Sequence, residues 1–237
     1  MRQLATLLAV ILMGLTLSST IDLGGPGPAA ASIRIPPEAH EITVPRLRQH
    51  GDQGNCGPTA AAMLLGAYHG IDTRDGLRGL RDAIGRWTWD GFVLRRLKLP
   101  GQRAGMTTAG ILQQALDNFA LYMTFQRLEH PFLPPEFVAM TQLEDRLKAG
   151  RPVITLMQSS TLWQSQTSGL HWVVVTGFDA GEVVFLDPAD GSRESIGRDR
   201  FRRAWRLDAD YRALPLVEAF TGLVADQPVP QRWVAAW

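Results

Sequence analysis

The chain is predicted to fold as an α+β domain in which a helical lobe packs on an antiparallel sheet. Segments with helical spacing and strong helix formers crowd residues 56 to 148. Strongly β-forming runs crowd residues 152 to 186. A tight turn at Ala180-Gly181 lies between the last two runs, and so short a connection makes them antiparallel neighbours. Helices grouped in one part and antiparallel strands in the other give an α+β architecture rather than alternating βαβ units.

Taken in order, Glu41 to Val44 reads as a short entering strand and residues 46 to 55 as a polar loop. Cys56-Gly57-Pro58-Thr59 then opens a helix that continues through Ala60-Ala61-Ala62-Met63-Leu64-Leu65-Gly66-Ala67-Tyr68. Pro58 suits a first helical turn, where its missing N–H costs nothing, and Gly70 is placed to end the helix. The face is small and apolar throughout, as expected of a helix buried at the domain centre.

Leu77, Leu80 and Ile84 carry helical spacing, and Trp87, Trp89 and Phe92 read as core in preference to a substrate-facing wall. Thr107 or Thr108 caps a helix from Ala109 to about Ala120, with Ile111, Leu112, Leu116 and Phe119 on one side. Leu143 to Lys148 is a short helix closed by Gly150. Pro152 to Met157, His171 to Gly177 and Glu182 to Leu186 are strands. Asp187-Pro188-Ala189-Asp190-Gly191 is a turn, and Phe201 to Trp205 begins a short helix.

The flanks divide the chain further. Arg2 followed by the uncharged apolar run Leu4 to Leu17 reads as a signal peptide over residues 1–23, or as an anchor left uncleaved. Residues 24–40, rich in Gly, Pro and Ala, are a linker, and Ala29-Ala30-Ala31 resembles a cleavage site. The expected domain is 41–206, with 207–237 an extension of no assigned role. This layout predicts an exported protein, periplasmic or extracellular, touching the membrane only through a retained anchor.

The 24 basic and 23 acidic residues nearly cancel. Arg95-Arg96 and Arg202-Arg203 read as solvated surface, so no nucleic-acid partner is expected. The five histidines, His40, His50, His69, His130 and His171, are dispersed, and none pairs at ligand spacing. No phosphate-binding glycine loop is present either, and no metal or cofactor is expected.

Cys56 is the single cysteine, so no intramolecular disulfide can form. It is either a buried small hydrophobe or a thiol kept for its chemistry. Its position at a helix start favours the second, because free N–H groups and the helix dipole stabilise a thiolate. A nucleophilic thiolate needs a base, and His171 opens a β-forming run that can hold an imidazole rigidly. The ring in turn needs a group to fix its tautomer. Asp187 ends the next strand, 16 positions on, and the hairpin brings those distant ends side by side.

Gly57 is expected to let a substrate backbone approach, and the Cys56 N–H to point toward a developing oxyanion. A side-chain donor to the same oxygen is available upstream from Gln49, His50, Gln53 or Asn55, among which local rules do not choose.

Asn55-Cys56-Gly57-Pro58-Thr59-Ala60-Ala61-Ala62-Met63-Leu64-Leu65, His171-Trp172-Val173-Val174-Val175-Thr176-Gly177-Phe178-Asp179 and Asp187-Pro188 resemble the papain-like cysteine peptidases. The resemblance is to the branch containing the double-glycine leader peptidases and their stand-alone relatives. Gly150-Arg151-Pro152-Val153-Ile154 resembles the strand before its histidine, and Phe201 to Trp205 its closing helix.

The resemblance implies a papain-like fold with the nucleophile at the N-terminus of a central helix. It also implies a Cys56–His171–Asp187 triad, no cofactor, a peptide or protein substrate, and a glutamine oxyanion donor about six residues before the cysteine. Gln49 lies seven before and Gln53 three before; Gln49 is preferred, since a donor three residues away has to fold back sharply. Acyl transfer on the same triad and a non-catalytic peptide-binding domain are the alternative functions. The 158–170 segment is read as a substrate-side loop or a plain connector.

Overall fold

The computed structural model describes residues 40–50, 54–89, 96–97, 106–121, 123–128, 135–166, 169–214 and 217–230. The expected targeting segment, all of the expected linker but His40, and Gln53, Phe92 and His130 lie outside these residues, as does the side chain of Trp89. No helix among the described residues is long and apolar enough to cross a membrane.

Helix α1, Cys56–His69, is the centre of the helical lobe, with every residue from Cys56 to Tyr68 buried. Small side chains make this possible. Ala60, Ala61 and Ala62 let neighbouring elements approach closely, while Met63, Leu64 and Leu65 fill the remaining space. The helix ends as predicted at Gly70, whose φ of 71° is the left-handed conformation that favours glycine. Helices α2, Arg74–Trp89, and α3, Ala109–Phe119, pack against α1.

Of the two candidate caps for α3, Thr108 takes the role, its hydroxyl accepting the Ile111 N–H at 3.5 Å. Thr107 instead ends β3, Met106–Thr107, which pairs with β2, Arg96–Leu97, as a separate two-stranded ribbon. Leu112 and Leu116 are fully buried, while Ile111, Phe119 and Trp87 are partly so.

The main sheet has seven strands, and all its pairings are antiparallel. Its strands are β1 (His40–Glu41), β4 (Phe125–Arg127), β5 (Val153–Gln158), β6 (Leu170–Phe178), β7 (Glu182–Asp187), β8 (Ser192–Gly197) and β9 (Gly222–Ala225). The order is β4-β9-β5-β6-β7-β8, with β1 also pairing β6.

The entering strand is shorter than the expected Glu41 to Val44. Pairing stops after Glu41 opposite Gly177, with one further bond from the Ile42 N–H to the Thr176 carbonyl. Gly177 allows that approach, since a Cβ there would lie 2.4 Å from the His40 carbonyl oxygen.

All nine residues of β6 are buried, which requires cover on both faces. Helix α1 and helix α4, Pro135–Lys148, both pack on β6. Helix α4 begins earlier than the Leu143 expected and closes at Gly150, φ 72°. Helix α6, Arg198–Arg206, lies against β5 with Phe201, Ala204 and Trp205 buried. A one-turn helix α5, Ser159–Trp163, and a short α7, Ala209–Arg212, complete the described elements.

The sheet also draws on residues beyond 206. β9 sits between β4 and β5 with all four residues buried. Phe220 N–H donates to the Trp205 carbonyl at 2.9 Å, and Val229 N–H to that of Gly150 at 2.9 Å.

Candidate active site

Cys56 is the first residue of α1. Asn55, the N-cap, offers its backbone carbonyl to Thr59 N–H at 2.9 Å but does not cap with its side chain. Its amide donates instead to the His50 carbonyl at 2.9 Å. The first amides of α1 are therefore not satisfied by the N-cap side chain, and the dipole's positive end meets the thiol. The backbone N–H groups of Trp172 and Gly57 donate to the cysteine sulfur.

His171 is the second residue of β6. Its Nε2 lies 2.8 Å from Asp187 Oδ1, so the hydrogen bond to Cys56 falls to Nδ1. Pairing of Val174 with Leu186 puts Asp187 across from Val173, and the carboxylate reaches His171 as a diagonal neighbour. Ala189 N–H donates to the same Oδ1 at 2.7 Å, and Gly191 N–H to the Asp187 carbonyl at 2.8 Å, so the turn fixes the carboxylate from below. Cys56, His171 and Asp187 are only 7%, 8% and 4% exposed, so water screens the three weakly.

Burial alone pushes the Cys56 thiol up. The hydrogen bond and charge of His171, then the Trp172 and Gly57 N–H groups, more than offset this and leave it below 9.0. Burial alone pushes His171 down, but hydrogen bonds to Asp187 and Cys56, with their charges, raise it to about 9. Both shifts run in the direction of a thiolate–imidazolium pair.

Of the four upstream donor candidates, Gln49, His50 and Asn55 lie among the described residues and separate, while Gln53 lies outside them. Gln49 N–H donates to the Pro188 carbonyl at 2.7 Å, next to Asp187, and its side-chain oxygen is buried without a partner among the described residues. With the His50 carbonyl held by Asn55, residues 49–50 bridge the start of α1 and the Asp187 turn. The amide of Asn55 is committed to that bond, and the His50 side chain is exposed.

Gly57 is corrected. A Cβ there would meet Thr107 Cβ at 3.1 Å and Trp172 Cδ1 at 3.3 Å, so its missing side chain makes room for the protein's own packing, not for a substrate backbone. Trp172 Nε1 donates to the Thr107 carbonyl at 2.9 Å, which ties the neighbours of Cys56 and His171 together.

Trp163 is the residue that sequence reading passed over. Its ring lies 4.8 Å from that of His171, centroid to centroid. The only signal was its place in the 158–170 segment.

The model of the Peptidase_C39-like family matches residues 41–212. The chain belongs to the Peptidase_C39-like family. Cys56, His171 and Asp187 all fall within the matched span, whereas β9 lies beyond it. The C39-like fold is seen again in the crystal structure of a candidate C39-like peptidase from Bacillus anthracis. That structure has a TM-score of 0.52 and 17% identity, covering 80% of this chain and 100% of that one. A Carica candamarcensis cysteine protease solved with E-64 has a TM-score of 0.37 and 12% identity, covering 78% of this chain and 94% of that one. No curated protein matches the chain. The architecture is thus the C39-like one, with the cysteine at the head of the central helix.

Proposed function

We propose that this C39-like chain is a cysteine peptidase that hydrolyses a peptide or related amide bond through a thioester on Cys56. The observation that carries the reading is the unbroken line from the Cys56 thiol through His171 to Asp187 at an uncapped helix start. The thiolate attacks the carbonyl carbon, and His171 gives its proton to the leaving amine as the C–N bond breaks. Neutral His171 then takes a proton from water, the hydroxide adds to the thioester carbonyl, and the C–S bond breaks to release the carboxylic acid and restore the Cys56 thiolate beside protonated His171. Asp187 keeps Nε2 engaged so that Nδ1 faces the sulfur throughout.

The oxyanion is assigned to the Cys56 N–H and to Gln49, which is supported by the bridging position of residues 49–50. We place the enzyme outside the cytoplasm on the strength of the apolar segment within residues 1–23.

Labelling of Cys56 by iodoacetamide between pH 5 and 9 tests the reading. Fast labelling at pH 6, slowed at least about tenfold by His171→Ala, is expected of an activated thiolate. Labelling that tracks an ordinary thiol and ignores that substitution sinks it. Cleavage of a peptide mixture by the wild type and not by Cys56→Ala separates hydrolysis from peptide binding alone.

A further inference from the structure

Among the described residues, two large apolar side chains are exposed, Leu121 at 83% and Trp163 at 40%. Trp163 is not a loosely held surface ring. It ends α5, a single turn fastened on every side. Leu162 beside it is 1% exposed. Ser159 N–H and Oγ both donate to the Gly169 carbonyl, at 2.9 and 3.0 Å, which ties the start of α5 to a point two residues from His171.

The Gln158 amide donates to Ser160 Oγ at 3.1 Å and to the Asp208 carboxylate, and its own oxygen accepts Asp208 N–H at 2.9 Å. Beyond the ring, Gln164 adopts the left-handed conformation at φ 53°, unusual for a residue other than glycine, and Ser165 N–H closes on the Ser160 carbonyl at 3.1 Å. So many restraints on five residues serve to put one side chain in one place.

That place is against His171, with ring centroids 4.8 Å apart and planes inclined at 59°. The distance is within the range over which a cation is attracted to an indole face. The titratable groups facing the imidazole are Cys56 from α1 and Asp187 from β7; Met157, its cross-strand neighbour on β5, carries no charge.

We propose that Trp163 is a positioning residue of the Cys56–His171 pair, its indole holding the imidazole of His171 and favouring the protonated ring. The inference rests on the ion pair argued above. The indole acts on the imidazolium whether Cys56 is thiol or thiolate. It therefore leaves the acid titration of the sulfur in place and holds up only the alkaline step, at which His171 loses its proton.

The test is a titration of the His171 ring by NMR in ¹⁵N-histidine-labelled protein, the signal assigned through His171→Ala. Trp163→Leu keeps apolar bulk without a π face. It is expected to lower the alkaline titration point of His171 by about half a pH unit. Trp163→Phe, which restores a ring, should recover part of that shift, and iodoacetamide labelling at pH 6 should stay fast in both. A His171 titration unmoved by Trp163→Leu overturns the proposal. So does loss of peptide cleavage with the titration unchanged, which would make Trp163 a substrate contact. A wild-type His171 titrating at the ordinary histidine value is a different failure, that of the ion pair itself.

Discussion

Cys56 and His171 exchange protons with the solvent in opposite senses, and the consequence is measurable in the stability of the fold. The His171 value is raised from 6.5 to about 9, so its contribution is full below pH 6.5 and lost as pH rises through about 9. Taken alone, that loss amounts to about 3 kcal/mol. The Cys56 value is lowered from 9.0, so its contribution is full above that pH and lost as pH falls through the lowered value.

In the proposed ion pair the folded protein and the unfolded chain each hold a single proton between pH 6.5 and 9, on different atoms, so the two changes oppose each other there. The stability gap between the wild type and Cys56→Ala/His171→Ala should therefore change by less than about 1 kcal/mol over that interval. Urea unfolding at three pH values measures it. A gap that closes by nearly 3 kcal/mol would mean that Cys56 remains a thiol while His171 titrates alone, which is incompatible with the ion pair.

At the scale of the element, what places the pair is the fit between the start of α1 and the start of β6. Replacing a helical glycine by alanine ordinarily stabilises by about 0.5–1 kcal/mol. Gly79 on α2 should follow that rule, since nothing lies within 4 Å of the Cβ it would gain. Gly57→Ala should do the reverse, because its Cβ would press on Thr107 and Trp172, which are 1% and 0% exposed and hydrogen-bonded to each other. A destabilisation of about 1–3 kcal/mol is expected in thermal or urea unfolding, together with slower labelling of Cys56 as the sulfur is displaced from His171. A stabilised Gly57→Ala with unchanged labelling would show that the junction yields.

The same junction marks where the sequence stops being readable. Helix α1 was legible from Pro58, its run of strong helix formers and Gly70, and β6 and β7 from dense β-forming runs and the tight turn at Ala180-Gly181. Together these bring Cys56, His171 and Asp187 into one place. Gly57 misled because a glycine beside a nucleophile looks the same whether it faces a substrate or Thr107. Helix α5 was hidden because one turn of Ser-Ser-Thr-Leu-Trp has too few residues for a periodicity. Its position comes instead from tertiary bonds to Gly169 and Asp208.

For the molecule as a whole, the sheet is completed from the far end of the chain. Gly222–Ala225 is four residues of ordinary apolar composition, and nothing local distinguishes it from a trailing segment; only its partners, β4 and β5, make it a strand. Leu223 and Val224 are fully buried and Phe220 is 1% exposed. Burial of each such side chain contributes about 1.5–3 kcal/mol, and a loss of that size is large beside the net margin of roughly 5–15 kcal/mol that holds a domain folded. Without β9, β4 would lose its only sheet partner among the described residues, and β5 would lose its pairing on that side and bare its N–H and C=O groups. A chain ended at Arg206 should therefore fail to unfold cooperatively and should expose β5 to aggregation. One ended at Pro230 keeps β9 and the Tyr68 hydroxyl bond to the Gln227 carbonyl at 2.9 Å, and should melt within a few degrees of the full chain. Cooperative melting of the shorter chain, with Cys56 still rapidly labelled, would show instead that β5 and β6 hold the site without their C-terminal neighbour.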